Sequence, residues 1–278
     1  MGLAGILLLV INFEKTSPFN RLAKASNLWD FQYRLSCSDL PDIKLQKGKN
    51  LRPNFLKMEQ RMKKIKARKI VIDVPEKILM KDLERYREEA IKVGASDTKI
   101  IPAHWVLIDE RVKMKCLAPR CHLYGESPNC PPYTPQPGEM RKVVSKYSYA
   151  ILLKNDVLPL EDFLDDKKWH QAHMIHQGKT HEIVSHIEAL AFSDGYYFAL
   201  GFAAGGCKTA LCRGLICQFL DSGRCRFPLK ARPSMEAVGI DVYNLACRVG
   251  WDIYPVAHRS VDPESISCAI SVGIVFIY

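Results

Sequence analysis

Seven of the chain's ten cysteines fall into two groups, and these residues carry the clearest chemistry in the sequence. Cys207, Cys212, Cys217 and Cys225 lie within 19 residues, at spacings x4, x4 and x7. A thiolate is a soft ligand, and four together suit a tetrahedral zinc ion or an iron–sulfur cluster. The paired C-x2-C of a zinc ribbon is missing. Pro228 follows three residues after Cys225, in a run with no regular apolar period. Gly205, Gly206, Gly214 and Gly223 free the backbone to bring N–H groups close to sulfur. Four buried structural thiols would be the plain alternative, but a polar, Gly-rich loop fits that poorly. The expectation is a [4Fe–4S] cluster on these four cysteines, with zinc as the alternative.

Cys116, Cys121 and Cys130 form the second group. Pro131 and Pro132 fix the chain just after the last thiol, and proline directly after a ligand cysteine recurs in ferredoxin-type loops. Three thiolates are one short of a closed site. The fourth ligand is open among Cys37, Cys247, Cys268 and His122, or it is absent, leaving one iron to a substrate. A structural zinc site is the alternative here too. Lys208, Arg213, Arg224, Arg226, Lys230 and Arg232 crowd the four-cysteine loop. Cations beside an anionic cluster stabilise its reduced form and raise its potential. Arg226 and Arg232, held near Pro228 and Pro233, are the candidates for fixed contacts behind the ligands.

Other motifs are weaker. His170, His173 and His176 step by three and could offer imidazoles to zinc, nickel or a corrinoid cobalt. Polar surroundings, and Gln177 and Gly178 as a helix break, favour a solvated face instead. Asp109, Glu110 and Arg111 precede the first thiol of the second group, either as a proton relay or as turn charges. No phosphate loop, dinucleotide fingerprint, nucleophile elbow or C-x3-C-x2-C spacing is present, which removes the common enzyme classes.

The pattern Cys-x4-Cys-x2-Tyr-Gly…Cys-Pro-Pro, with Cys-Arg-x-Pro-x-x-Ala-Arg-Pro-Ser-Met-Glu-Ala-x-Gly-Ile-Asp-Val downstream, resembles an uncharacterised microbial family. That family is one of predicted metal-binding proteins common among anaerobes. The resemblance covers residues 70–278 and is almost letter for letter over 231–242. It implies metal binding, with iron–sulfur chemistry as the expectation, and no reaction. Many members carry a cysteine where this chain has Val238, so the resemblance also questions whether one ligand set is complete.

At 278 residues the chain can bury a full core without disulfides. Clustered cysteines without an export signal point to a reducing cytosol. The apolar start, residues 2–13, is too short to span a bilayer and lacks the basic flank of a signal peptide, so no transmembrane segment is expected. The net charge of +10 is local: residues 44–69 hold eleven Lys and Arg against Glu59, and the rest balances at 29 and 29. Phe55, Met58, Met62 and Ile65 mark an apolar stripe on a basic helix over residues 54–69. Such a helix more often packs on its own domain than on nucleic acid.

Two regions follow: an extension, 1–66, and a metal-binding domain, 67–278. Strands are expected at 70–74, 99–101, 105–109, 150–153, 196–202, 253–256 and 270–277. Helices are expected at 80–93, 138–147, 180–194 and 234–249. The alternation argues an α/β fold: a mixed sheet with flanking helices and two cysteine-rich loops. Three functions remain: a cytosolic protein with one or two [4Fe–4S] clusters serving a redox partner protein; an enzyme with an open iron; and a structural zinc protein that binds nucleic acid weakly.

Overall fold

The computed structural model pairs four short strands into one sheet, the two central ones rich in branched apolar residues. The structure describes residues 67–164, 168–255 and 262–278. Strands β1 (Asp97–Pro102), β2 (Tyr149–Asp156), β3 (Leu200–Phe202) and β4 (Ile270–Phe276) lie in the order β1-β2-β4-β3. Every pairing is antiparallel, in register Ile101↔Ala150, Leu152↔Ile274 and Phe202↔Ile274.

Side chains alternate across a strand, so β2 sends Ala150 and Leu152 to one face and Ile151 and Leu153 to the other. Both faces are buried, which is why the strand reads as a continuous apolar run. On one face lie helix α1 (Glu76–Lys92), through Leu79, Leu83, Tyr86 and Ala90, and the long helix α5 (Trp169–Ser193), through Ile183, Val184 and Ile187. On the other lie α3 (Pro137–Val144), α8 (Val242–Arg248) and the segment carrying Met235, Val238 and Ile240. Short helices α2 (Glu110–Leu117), α4 (Glu161–Leu164), α6 (Cys207–Ala210) and α7 (Gln218–Ser222) complete the order. Gly273 on β4 brings α5 close: a Cβ there would lie 2.6 Å from Val184 Cγ2 and 2.9 Å from Thr180 Cγ2.

The α/β class and flanking helices are as the sequence predicts, and several elements differ. Residues 70–74 are irregular, and 105–109 contribute only the end of a 3-10 turn and the bridge Ile108↔Ile240. Residues 196–199 stay outside β3, and 251–255 form no strand. Region 234–249 is not one helix but a 3-10 turn, Glu236–Val238, then α8, because Gly239 turns left-handed at φ 88°. Thr180 does not cap a helix: it lies inside α5, and its hydroxyl donates to the His176 carbonyl or shares a 2.7 Å bond with Ser271, while accepting from Asn155. Gly178 likewise does not break α5; an added Cβ would lie 3.3 Å from the Ala210 carbonyl, so glycine lets α6 approach.

The expected extension, with its apolar start, lies outside the described residues. Of the expected basic helix only residues 67–69 are described, and they are not helical. Arg68 is bound into the domain: its guanidinium pairs with Asp82 at 2.6 Å and Asp194 at 3.1 Å, and its N–H donates to the Ser193 carbonyl. Tyr196 and Tyr86 donate to the same two carboxylates. Burial pushes the Asp82 carboxyl up, but bonds from Arg68 and Tyr196 outweigh it and hold the pKa below the usual value. Among the described residues no helix is long and apolar enough to cross a membrane.

Candidate metal centre

Residues 233–241 form the strut from which both cysteine loops hang. The Ala203 N–H donates to the Pro233 carbonyl and Met235 N–H to the Ala203 carbonyl, fixing the chain that enters the four-cysteine loop. Asp109 N–H donates to the Gly239 carbonyl and Asp241 N–H to the Leu107 carbonyl, fixing the chain that enters the other loop. Thr134 Oγ1 donates to the Ala237 carbonyl at 2.7 Å and holds that loop's exit. The strut's sequence matches the resembled pattern most closely, and its job here is to bring two distant loops together.

In the first loop Cys207 starts α6, Cys217 precedes α7 and Cys225 follows it, past Gly223 at φ 76°. Arg213 and Gly214, at φ 52° and 78°, turn the chain between Cys212 and Cys217. All four thiols line one cavity of about 350 Å³, including its open mouth. Asn129 Nδ2 donates to Cys207 Sγ at 3.5 Å, and the Phe227 N–H donates to Cys225 Sγ at 3.4 Å. Such donors stabilise thiolate over thiol.

Cys116 lies in the last turn of α2, and Cys121 and Cys130 follow in the loop. With His122 and His173 they line a second cavity of about 770 Å³, again counting its mouth. The two cavities share a wall: Asn129 and Cys207 face the first, while their chain neighbours Cys130 and Gly206 face the second. Gly206 makes the wall thin, since a Cβ there would lie 3.7 Å from Cys130 Sγ and collide with Leu123.

This adjacency does not arise from parallel strands ending on one edge. Residues 105–109 are no strand, and β1 and β3 run in opposite directions in the antiparallel sheet. The strut supplies it instead.

Burial pushes the Cys130 thiol up to about 11; Ser127 opposes this, and the Cys207, Cys121 and Cys116 thiols add to it. Burial also raises Cys116, Cys207 and Cys225, and in each case neighbouring cysteines add to the shift. Gathered thiols without a cation resist ionising together, whereas bound metal would deprotonate them outright. Ser127 Oγ is fully buried and meets no partner of good geometry, yet lies near enough to Cys130 and Cys207 to favour their thiolates. An orphaned hydroxyl between two thiols, and seven thiols around adjoining voids, fit sulfur-ligated metal. Among the described residues no three His, Cys, Asp or Glu side chains converge tightly enough to hold a single ion. Tetrahedral zinc needs sulfurs about 3.8 Å apart, from a Zn–S bond of about 2.3 Å. A cubane spreads its ligands wider, because each binds a different iron.

The remaining expected residues divide. Arg226 lines the first cavity, donates to the Ile216 carbonyl at 2.6 Å and favours the Cys225 thiolate. Arg232 turns to Glu188 at 2.6 Å and to the Pro228 and Ala231 carbonyls, and no bond to a cysteine sulfur is seen. Lys208 pairs with Glu126 beside the first cavity. Asp109 caps α2 and pairs with Arg111, which holds its carboxyl down at about 2, and Glu110 pairs with Arg141. Both carboxylates therefore have structural work and are poor proton relays.

Among the candidate fourth ligands, Cys247 is exposed on α8 and Cys268 donates to the Asp252 carbonyl; neither lines either of these two cavities. Cys37 lies outside the described residues. Val238 is fully buried in the apolar core, and its neighbour Ala237 faces the second cavity. The sequence casts His173 as part of a solvated face and gives Ser127 and Asn129 no role. The histidine looks solvated only if Gly178 ends its helix, which it does not. The other two carry one signal in the sequence, their place just before Cys130.

No curated protein and no solved structure matches this chain. A family model described as predicted metal-binding protein matches residues 99–275, which include all seven clustered cysteines and the strut. With more than half of its length matched, the chain belongs to this family of predicted metal-binding proteins, DUF2284.

Proposed function

We propose that this protein carries two [4Fe–4S] clusters and works in electron transfer in the cytosol, taking electrons from or delivering them to a partner protein. One observation carries the reading: four cysteines line one cavity, three line a second, and Asn129–Cys130 and Gly206–Cys207 form the wall between. A cluster in each would supply one-electron chemistry over a short path. The chain's own groups have definable tasks. Asn129 and the Phe227 N–H donate to sulfur, Ser127 is buried between Cys130 and Cys207, and Arg226 offsets negative charge near Cys225. All four favour the more negative, reduced state.

Around the first cavity Leu215, Ile216 and Leu229 are more than half exposed, beside exposed Arg213 and Arg224. Exposed apolar side chains and cations in one loop suit an acidic redox protein. The test is anaerobic purification, with iron and acid-labile sulfide measured per chain. About eight of each supports the reading, and stoichiometric zinc without sulfide after reconstitution sinks it.

A second reading, an enzyme with one open iron, draws on the greater volume of the second cavity, about 770 against 350 Å³. In that case the three-cysteine site would bind a small substrate as a Lewis acid. Spectral change on adding small ligands to the reduced protein would separate it from pure electron transfer.

A further inference from the structure

The three-cysteine site needs one more ligand if its cluster is to be closed, and the described cysteines do not supply it. Cys247 and Cys268 lie away from the cavity that Cys116, Cys121 and Cys130 line. Two imidazoles line it, His122 and His173. His122 follows Cys121 directly, and consecutive side chains diverge, which hinders a pair from reaching two different irons of one cubane. It is also exposed, so water competes for its ring. His173 comes from α5, an element separate from the cysteine loop, and is half-buried. Gln177, one helical turn on, lines the same cavity, so this face of α5 forms a wall of the void. Gly178 and Gly205 allow that approach: a Cβ on Gly205 would overlap Gln177, and one on Gly178 would press the Ala210 carbonyl.

We infer that His173 is the fourth ligand of the second cluster, so that a site of three cysteines and one histidine lies beside a site of four cysteines. The inference rests on the two-cluster reading above. A neutral imidazole in place of a thiolate removes one negative charge, and histidine ligation raises the potential of a cluster. The second cluster should therefore be the easier one to reduce, and an electron entering at the first site would move on to it.

The test uses anaerobically purified full-length protein, reduced with dithionite, and reads nitrogen coupling by pulsed electron paramagnetic resonance. Protein labelled with 15N-histidine identifies the nitrogen. Wild type should show one strongly coupled histidine nitrogen, and His173→Cys should lose it while keeping about eight irons. In His173→Cys the higher-potential step should shift downward, because thiolate restores the charge; His122→Ala should leave the coupling intact. Coupling that persists in His173→Cys and disappears in His122→Ala would overturn the assignment in favour of His122. A wild-type protein with about eight irons and no histidine coupling would also overturn it, returning the open-iron site while leaving the two-cluster reading standing. Zinc, or iron for a single cluster only, would instead remove the reading beneath the inference.

Discussion

His181 offers a pH dependence that follows mainly from its burial. It lies on α5, is fully buried, and its Nδ1 accepts the Arg232 N–H at 3.4 Å, while Nε2 meets no partner. Burial pushes its pKa down to about 4; the Lys230 backbone opposes the shift and the Arg232 charge adds to it. In the unfolded chain a histidine titrates near 6.5. Above that pH both states are neutral and nothing is lost. As pH falls from 6.5 to 4 the unfolded chain binds a proton that the folded protein refuses, so stability falls. About 2.5 pH units at about 1.4 kcal/mol per unit gives a loss of roughly 3.5 kcal/mol, complete below pH 4. His181→Asn keeps an acceptor near Nδ1 and removes the titration. Urea unfolding of both proteins, followed by tryptophan fluorescence from pH 7.5 to 4.5, isolates this residue, because the metal sites are common to both. Over that range wild type should lose about 2.5 kcal/mol more stability than His181→Asn does. Parallel loss in the two proteins would refute the reasoning.

Gly273→Ala should cost about 1–3 kcal/mol, because the new methyl meets Val184 and Thr180 inside 3 Å on the α5 side; calorimetry checks it, and an unchanged melting temperature would contradict the packing described. Ser127→Ala should leave the metal-free protein as stable or more so, since it removes an orphaned buried hydroxyl, yet lower a reduction potential measured by titration of the loaded protein. A chain beginning at Ala67 should keep its full metal content, whereas one beginning at Lys69 should melt lower through loss of the Arg68 pairs with Asp82 and Asp194; metal lost from a folded chain beginning at Ala67 would place a ligand, such as Cys37, in the extension.

The grouping of the cysteines was legible because ligand type and spacing are local facts, and their convergence on two cavities needs only short loops. The α/β class was legible from periodic runs such as 149–156 and 76–92. What joins the two loops was not. Residues 234–249 have a helical apolar period, but Gly239 takes a left-handed turn and the segment spends its backbone bonds on Ala203, Leu107 and Asp109. Those are partners about 30 to 130 positions away, invisible to a local pattern. The α5 helix shows the opposite error. A Gly178 that looks like a terminator is tolerated mid-helix because α6 packs against it, and Thr180 finds tertiary partners in Asn155 and Ser271. Without that continuity His173 has no visible place at the site. Arg232, close in sequence to the cysteines, is drawn to Glu188 instead, where a largely buried carboxylate offers a stronger partner than a thiol.

The measurement that bears most directly on the central claim is iron per chain in Cys121→Ser beside Cys207→Ser, each purified without oxygen. Two adjoining but separate sites predict that each variant keeps about four irons and that wild type holds about eight. Loss of all iron from either folded variant, or zinc in their place, would contradict two clusters divided by the wall of Asn129–Cys130 and Gly206–Cys207.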